Sequence, residues 1–99
     1  MNISVLTPDK EVFYGSIKSV KVPGTMGQFQ VLNNHAPIVA SLEKGTVELV
    51  TAEGEHRFFN EDTKGMEAAS ETNKRMTYEI SGGFIEVLNN EVSLLVTGI

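Results

Sequence analysis

Residues 22–37 read VPGTMGQFQVLNNHAP, an apolar strand pattern cut by two dense clusters of turn-forming residues. Pro23-Gly24 presets a tight turn, because proline fixes φ and glycine accepts the positive φ that follows. Gly27 permits a second change of direction just before Phe29 and Val31 resume period-two alternation. Asn33-Asn34 enters left-handed backbone at low cost, and Pro37 holds Ala36 extended. The stretch predicts a strand, a shaped exposed loop, a short strand and a second shaped corner.

Working outward, the same grammar repeats. Ile3 and Val5 alternate with Asn2 and Ser4 before a turn at Thr7-Pro8-Asp9. Val12-Phe13-Tyr14 precedes Gly15, and the spacing of three between Ile17 and Val20 predicts a β-bulge or bend. Val47 and Leu49 face one way and Thr46 and Glu48 the other, and Glu53-Gly54 predicts a hairpin into Glu55–Phe59. Met76, Tyr78 and Ile80 alternate with polar residues, Gly82-Gly83 marks a corner or a close backbone approach, and Phe84–Leu88 runs to a two-residue turn at Asn89-Asn90. Val92, Leu94 and Val96 complete a last strand.

Many short strands with turns at close intervals predict an all-β fold, an antiparallel β-sandwich or flattened barrel with scarcely any helix. The expected core is Val5, Val20, Val22, Phe29, Val31, Val47, Leu49, Ile80, Ile85, Val87, Val92, Leu94 and Val96. One segment departs from the pattern. Residues 60–75, NEDTKGMEAASETNKR, are polar and weakly periodic, and predict a solvated extended hairpin or mobile loop. Within them, Met66–Ala69 suits a helical turn or a strand extension.

The 99 residues predict a single domain with one modest core. The formal charge of −5 repels phosphate backbones and argues against nucleic-acid binding. No apolar run is long enough to cross a bilayer, and the N-terminus lacks a signal pattern, so any membrane association is expected to come through another subunit. With no cysteine there is no disulfide framework and no thiolate chemistry.

Catalytic and ligand chemistry find little support. His35 has no serine or carboxylate at a nucleophile spacing and reads as structural or interfacial, and His56, between Glu55 and Arg57, reads as solvated. Two distant histidines give no zinc spacing, Glu61-Asp62 lacks the ligand alternation of calcium loops, and no phosphate-cradling glycine motif occurs. No cofactor or metal, and no enzymatic activity, is expected.

The wording of the motifs is more specific than their physics. VPGTMGQFQVLNNHAP and ISGGFIEVLNN (residues 80–90) resemble, in order, two signature blocks of the epsilon subunit of F-type ATP synthase. The resemblance spans the chain from the opening strand, through Thr7–Lys10 and Val12–Gly15, to Val96. It implies an N-terminal β-sandwich of about ten strands in the central stalk, carrying rotation of a proton-driven c-ring to the gamma subunit and the catalytic head. It implies a peripheral place on the cytoplasmic face of a bacterial inner membrane.

By the same resemblance, Gly24, Thr25, Met26, Gly27 and Gln28 would face the c-ring, and Thr7, His35 and Ala40 the gamma subunit. Many members carry an acidic residue where Gln28 stands and a proline where Asn33 stands. Members also continue into a two-helix domain, and residues 97–99 end short of it, so helical inhibition is not expected to carry over. Against the usual family hairpin, residues 60–75 look like an insertion, and a lineage-specific subunit contact there is the sharper reading. The alternative function is a stand-alone β-sandwich module for carbohydrate or peptide, but the chain has no Trp to build a stacking platform.

Overall fold

Ten strands account for the architecture of the chain, which a computed structural model describes over residues 1–99: β1 (Asn2–Leu6), β2 (Glu11–Gly24), β3 (Gly27–Leu32), β4 (Ile38–Leu42), β5 (Gly45–Thr51), β6 (His56–Asn60), β7 (Gly65–Ala69), β8 (Arg75–Ile80), β9 (Gly82–Leu88) and β10 (Glu91–Thr97). The all-β sandwich expected from the turn grammar is what forms.

One layer runs β1-β10-β9-β4, and β2 joins it to the other. This fourteen-residue strand pairs with β1 through its first half, then with β3 and β5 through its second. The register against β5 slips between Ile17 and Ser19, where the broken alternation predicted a bulge. Gly24 at the far end of β2 meets Leu42 of β4, closing the second edge. All pairings are antiparallel except β1 with β10, which run parallel from Asn2 opposite Glu91 to Leu6 opposite Leu95.

Alternation decides which face each strand buries. Val92, Leu94 and Val96 point inward from β10 while Ser93, Leu95 and Thr97 point out. Across the layer, Ala40, Ile85, Leu94, Val5 and Phe13 form one continuous inner row of paired positions. Burying Leu94 completely contributes about 1.5–3 kcal/mol relative to exposure. The expected core residues are all buried except Phe29, which is half-buried and packs against the cluster. Ile3, Val12, Phe13, Ile17 and Leu42 complete the core.

The turns follow from residue chemistry. Asn89 and Asn90 both take positive φ, 51° and 64°, which matches the twist of the β9–β10 hairpin they close. Gly83 has φ 147°, and a side chain there would run into the Leu95 carbonyl oxygen and the Val96 Cα. The corner at Gly82-Gly83 is thus a close backbone approach. Pro23-Gly24 stays within β2, and Thr25 and Met26 make the turn into β3.

One expectation changes, and the alternatives left open at residues 60–75 are decided. Glu53-Gly54 does not fold β6 back on β5. Both strands lie antiparallel along the same edge of β2, β5 at Ile17–Lys21 and β6 at Phe13–Tyr14, so residues 52–55 are a break within one long strand. The true hairpin tip is residues 61–64, with Lys64 at φ 58°. Of the extended hairpin and the mobile loop expected for residues 60–75, the hairpin is what forms. These residues hold that tip, strand β7 paired to β6 from His56–Ala69 to Asn60–Gly65, and a second break before β8. The run at Met66–Ala69 is strand, stabilised by its ladder despite modest hydrophobicity.

Candidate functional site

The Gly24–Gln28 segment is a two-residue hairpin loop whose tip, Met26, is 99% exposed. Gly27, at φ 123°, supplies the backbone that a side chain would strain. The Thr25 N–H donates to the Ser41 carbonyl at 3.0 Å, and the Glu43 N–H donates to the Pro23 carbonyl at 2.9 Å, so β4 braces the loop from one side. Gln28 is exposed beside it.

Ala40 sits close to this loop. It lines, with Thr25, Met26, Phe29, Val39 and Ser41, a groove of about 280 Å³. Its side chain turns to the inner face and packs on the core, while Val39 and Ser41 point outward, Val39 at 71% exposed.

Thr7 and His35 stand apart. Along β4–β9–β10–β1, the row Leu42–Gly83–Val96 lies at the end next to Thr7, and Leu88–Glu91–Asn2 lies at the other. Thr7 organises its own turn: its hydroxyl donates to the Lys10 carbonyl at 3.1 Å and accepts the Asp9 and Lys10 amides at 3.3 and 3.2 Å. His35 belongs to the corner at the opposite end. There Asn33 Oδ1 accepts from the Met1 amino group at 3.1 Å and from Asn90 Nδ2 at 2.9 Å, and the Asn34 N–H donates to Asn90 Oδ1 at 2.8 Å. The His35 ring lies with Nδ1 2.7 Å from the Ala36 carbonyl oxygen, to which it donates. The structure therefore groups Ala40 with the 24–28 loop and separates Thr7 from His35.

A surface that sequence reasoning missed runs across the outer face. Leu6, Leu95 and Phe84 are adjacent in one ladder row, Phe84 at 47% exposed, and with Thr7, Pro8 and Gly83 they line an apolar groove of about 240 Å³. Val39 stands on the next outward row, opposite Glu86, and Leu88 lies one outward row further. The signal was present in the outward phase of β9 and β10, where Phe84 and Leu95 occupy positions that polar residues normally take.

His56 corrects another reading. It is 1% exposed, not solvated, and stacks on Phe13 with centroids 5.4 Å apart. Its charged neighbours Glu55 and Arg57 disguised an inward position. No group of three His, Asp or Glu side chains is placed to hold a metal ion, and no helix is long and apolar enough to cross a membrane.

Residues 1–60 match the family model described as ATP synthase, Delta/Epsilon chain, beta-sandwich domain. The chain belongs to that family. Its sequence is 38% identical over 93 residues to the ATP synthase epsilon chain of Chlorobaculum tepidum, covering 94% of this chain and 84% of that one. It is 36% identical to the epsilon chain of Leptospira borgpetersenii over 96% of this chain and 59% of the relative. A third relative, from Salinibacter ruber, is covered over 56% of its length, so the chain spans little more than half of some of the curated relatives it matches.

Among solved structures, a chain of the Euglena gracilis mitochondrial ATP synthase superposes with TM-score 0.69 at 19% identity, covering 97% of this chain and 49% of that one. A chain of the Tetrahymena thermophila mitochondrial ATP synthase central stalk and c-ring gives TM-score 0.63 at 16% identity, over 99% of this chain and 63% of that one. These likenesses establish a shared fold for the family's β-sandwich in this chain.

Proposed function

We propose that this chain is a non-catalytic central-stalk element of a proton-translocating F-type ATP synthase, docked between the c-ring and the gamma subunit and turning with both. The observation that carries the proposal is the pairing of two exposed apolar features on one scaffold: the Met26 tip and the Phe84–Leu95–Leu6 row. Apolar surface in water is disfavoured, and contiguous exposed patches mark contact sites. The names of the relatives and the central-stalk setting of the Tetrahymena neighbour support the same reading.

The Gly24–Gln28 loop is the proposed ring-facing element. Met26 offers an adaptable apolar tip and Gln28 a neutral donor and acceptor for a polar ring loop, so the contact should respond weakly to salt. The proposed gamma-facing surface is the outer face of β1, β10, β9 and β4. Thr7 borders its groove and Ala40 supports it from the core side, whereas His35 lies at its far end. The subunit would be held at the cytoplasmic face of the membrane through these partners. A carbohydrate module would need exposed rings as a platform. Here the Tyr14 ring lies under Arg57, 4.8 Å from its guanidinium, and Phe84 stands among aliphatic side chains.

The test is a titration of the chain against purified gamma subunit. Phe84→Glu should weaken binding by at least roughly tenfold, since a buried unpaired carboxylate would replace an apolar anchor. Unaltered affinity for gamma would remove this face from the proposal.

A further inference from the structure

His56 is the only ionisable side chain buried outright in the sandwich. Its ring stacks on Phe13 at an interplanar angle of 22° and leans on Phe58 with centroids 6.1 Å apart. Neither Nδ1 nor Nε2 has a hydrogen-bond partner. A neutral imidazole fits as a flat, largely apolar body. A protonated one carries two N–H donors and a charge that this setting does not serve.

The ring also sits in an arm that meets β2 at only two paired positions. β6 and β7 form an arm set off from β5 and β8 by the breaks at residues 52–55 and 70–74. The arm is paired to β2 at Phe13–Phe58 and Tyr14–Arg57, whereas β5 and β8 share six paired positions from Gly45–Ile80 to Val50–Arg75. At the junction β2 contributes Gly15, whose lack of a side chain lets the His56 backbone approach, since a Cβ there would lie 2.5 Å from the His56 Cβ.

We propose that His56 makes this arm acid-releasable: protonation of the ring detaches β6 and β7 from β2 while the remaining strands stay folded. The surroundings all bear on the balance. β2 presents Phe13 and Gly15, and β7 places Ala69 opposite His56 in register, none with a side-chain acceptor. In the break before β6 Glu55 is exposed, and on β6 Arg57 is engaged outside with Glu11 at 3.5 Å and over Tyr14. The connection from β7 to β8 brings Lys74 and Glu71.

Burial foremost, then the Lys74 ammonium, hold the imidazole below its ordinary value of 6.5, and Glu71 opposes them in part. The closed arm thus binds fewer protons than the open one. Closure is at full strength above pH 6.5 and is lost as pH falls towards the depressed value. Over that window the opening constant should rise about tenfold per pH unit, as expected for uptake of one proton. Once released, the ring can reach water and the exposed Glu71 carboxylate.

Amide hydrogen exchange on the full chain at pH 7.5 and 5.5, corrected for intrinsic rates, tests this directly. The amides of β6 and β7 should lose protection, by up to about tenfold, at the lower pH while those of β9 and β10 keep theirs, and His56→Phe should abolish the difference. Equal arm protection at both pH values, or a loss spread evenly over β9 and β10, would overturn the proposal. If His56→Phe does not fold, the C2 proton of His56 in the unaltered chain decides the matter. A midpoint below 6.5 that tracks arm exchange supports release, and a midpoint at or above 6.5 contradicts it.

Discussion

Thr51 and Lys74 are joined by two opposed hydrogen bonds: the Thr51 backbone N–H donates to the Lys74 carbonyl at 2.9 Å, and the Lys74 N–H donates to the Thr51 hydroxyl at 2.8 Å. The same hydroxyl donates to the Glu71 carbonyl at 2.7 Å, and the Asn73 N–H donates to the Thr51 carbonyl at 2.9 Å. One buried side chain therefore carries the ladder across the point where both long strands break.

Thr51→Val keeps the shape and removes the hydroxyl, leaving the Lys74 amide and the Glu71 carbonyl without this partner. The substitution should lower unfolding free energy by about 1–3 kcal/mol in a urea titration. A cost near zero would mean that water replaces the hydroxyl without penalty.

Gly83 and Gly65 form a matched comparison. Gly83→Ala should cost about 2–3 kcal/mol, because it combines positive φ with a collision against the β10 backbone. Gly65→Ala, with no atom within 4 Å of the added Cβ, should stay within about 0.5 kcal/mol of the unaltered chain. Thermal or chemical unfolding of both variants measures the contrast.

Strands with strict alternation are legible in the sequence. β9, β10 and the segment around Phe29 and Val31 bury the residues their phase assigned, apart from the partial exposure of Phe29. The corners at Asn34, Asn89-Asn90 and Gly83 were legible because so few residue types tolerate positive φ, whereas the turn expected at Pro23-Gly24 falls one step later, at Thr25-Met26, with the positive φ at Gly27. Three features were hidden for physical reasons. Glu53-Gly54 suits a hairpin turn and a strand break equally, and only pairing along β2 distinguishes them. β7 lies at an edge and pairs only with β6, so the sequence GMEAA alone left a helical turn and a strand extension equally open. The parallel pairing of β1 with β10 joins residues about ninety positions apart and has no local signature. At the candidate surfaces, the exposed loop was visible in its glycines, but the apolar outer row was not, since it emerges only when β1, β10 and β9 are laid side by side.

Adjacent residues on β4 separate stability from docking. Ala40→Glu should destabilise the sandwich by about 1–3 kcal/mol, as it pushes a carboxylate toward the Ile85–Leu94 row. Val39→Glu, at a 71% exposed position, should leave unfolding within about 0.5 kcal/mol and act on the proposed gamma contact instead. Denaturation curves and a gamma-binding titration on the same two proteins distinguish the effects.

Burial pushes the Tyr78 phenol up from 10.0 to about 12. The folded chain therefore retains its proton where the unfolded chain has lost it. The contribution to stability is full below pH 10 and declines as pH rises through the interval to about 12. Tyr78→Phe should flatten that decline, measured as midpoint temperature between pH 9 and 11, roughly the onset of the window. An unchanged slope would assign the alkaline loss to other groups.

Site-directed crosslinking in the assembled enzyme tests most directly whether this sandwich docks on the ring of an ATP synthase through the Gly24–Gln28 loop, as proposed. The chain has no native cysteine, so Thr25→Cys and Gln28→Cys each introduce a single reactive thiol on this subunit. Both should crosslink to the polar loop of the ring and lose reactivity towards soluble maleimide on assembly. Free reactivity of both thiols in the intact complex, with no crosslink to the ring, would contradict the account.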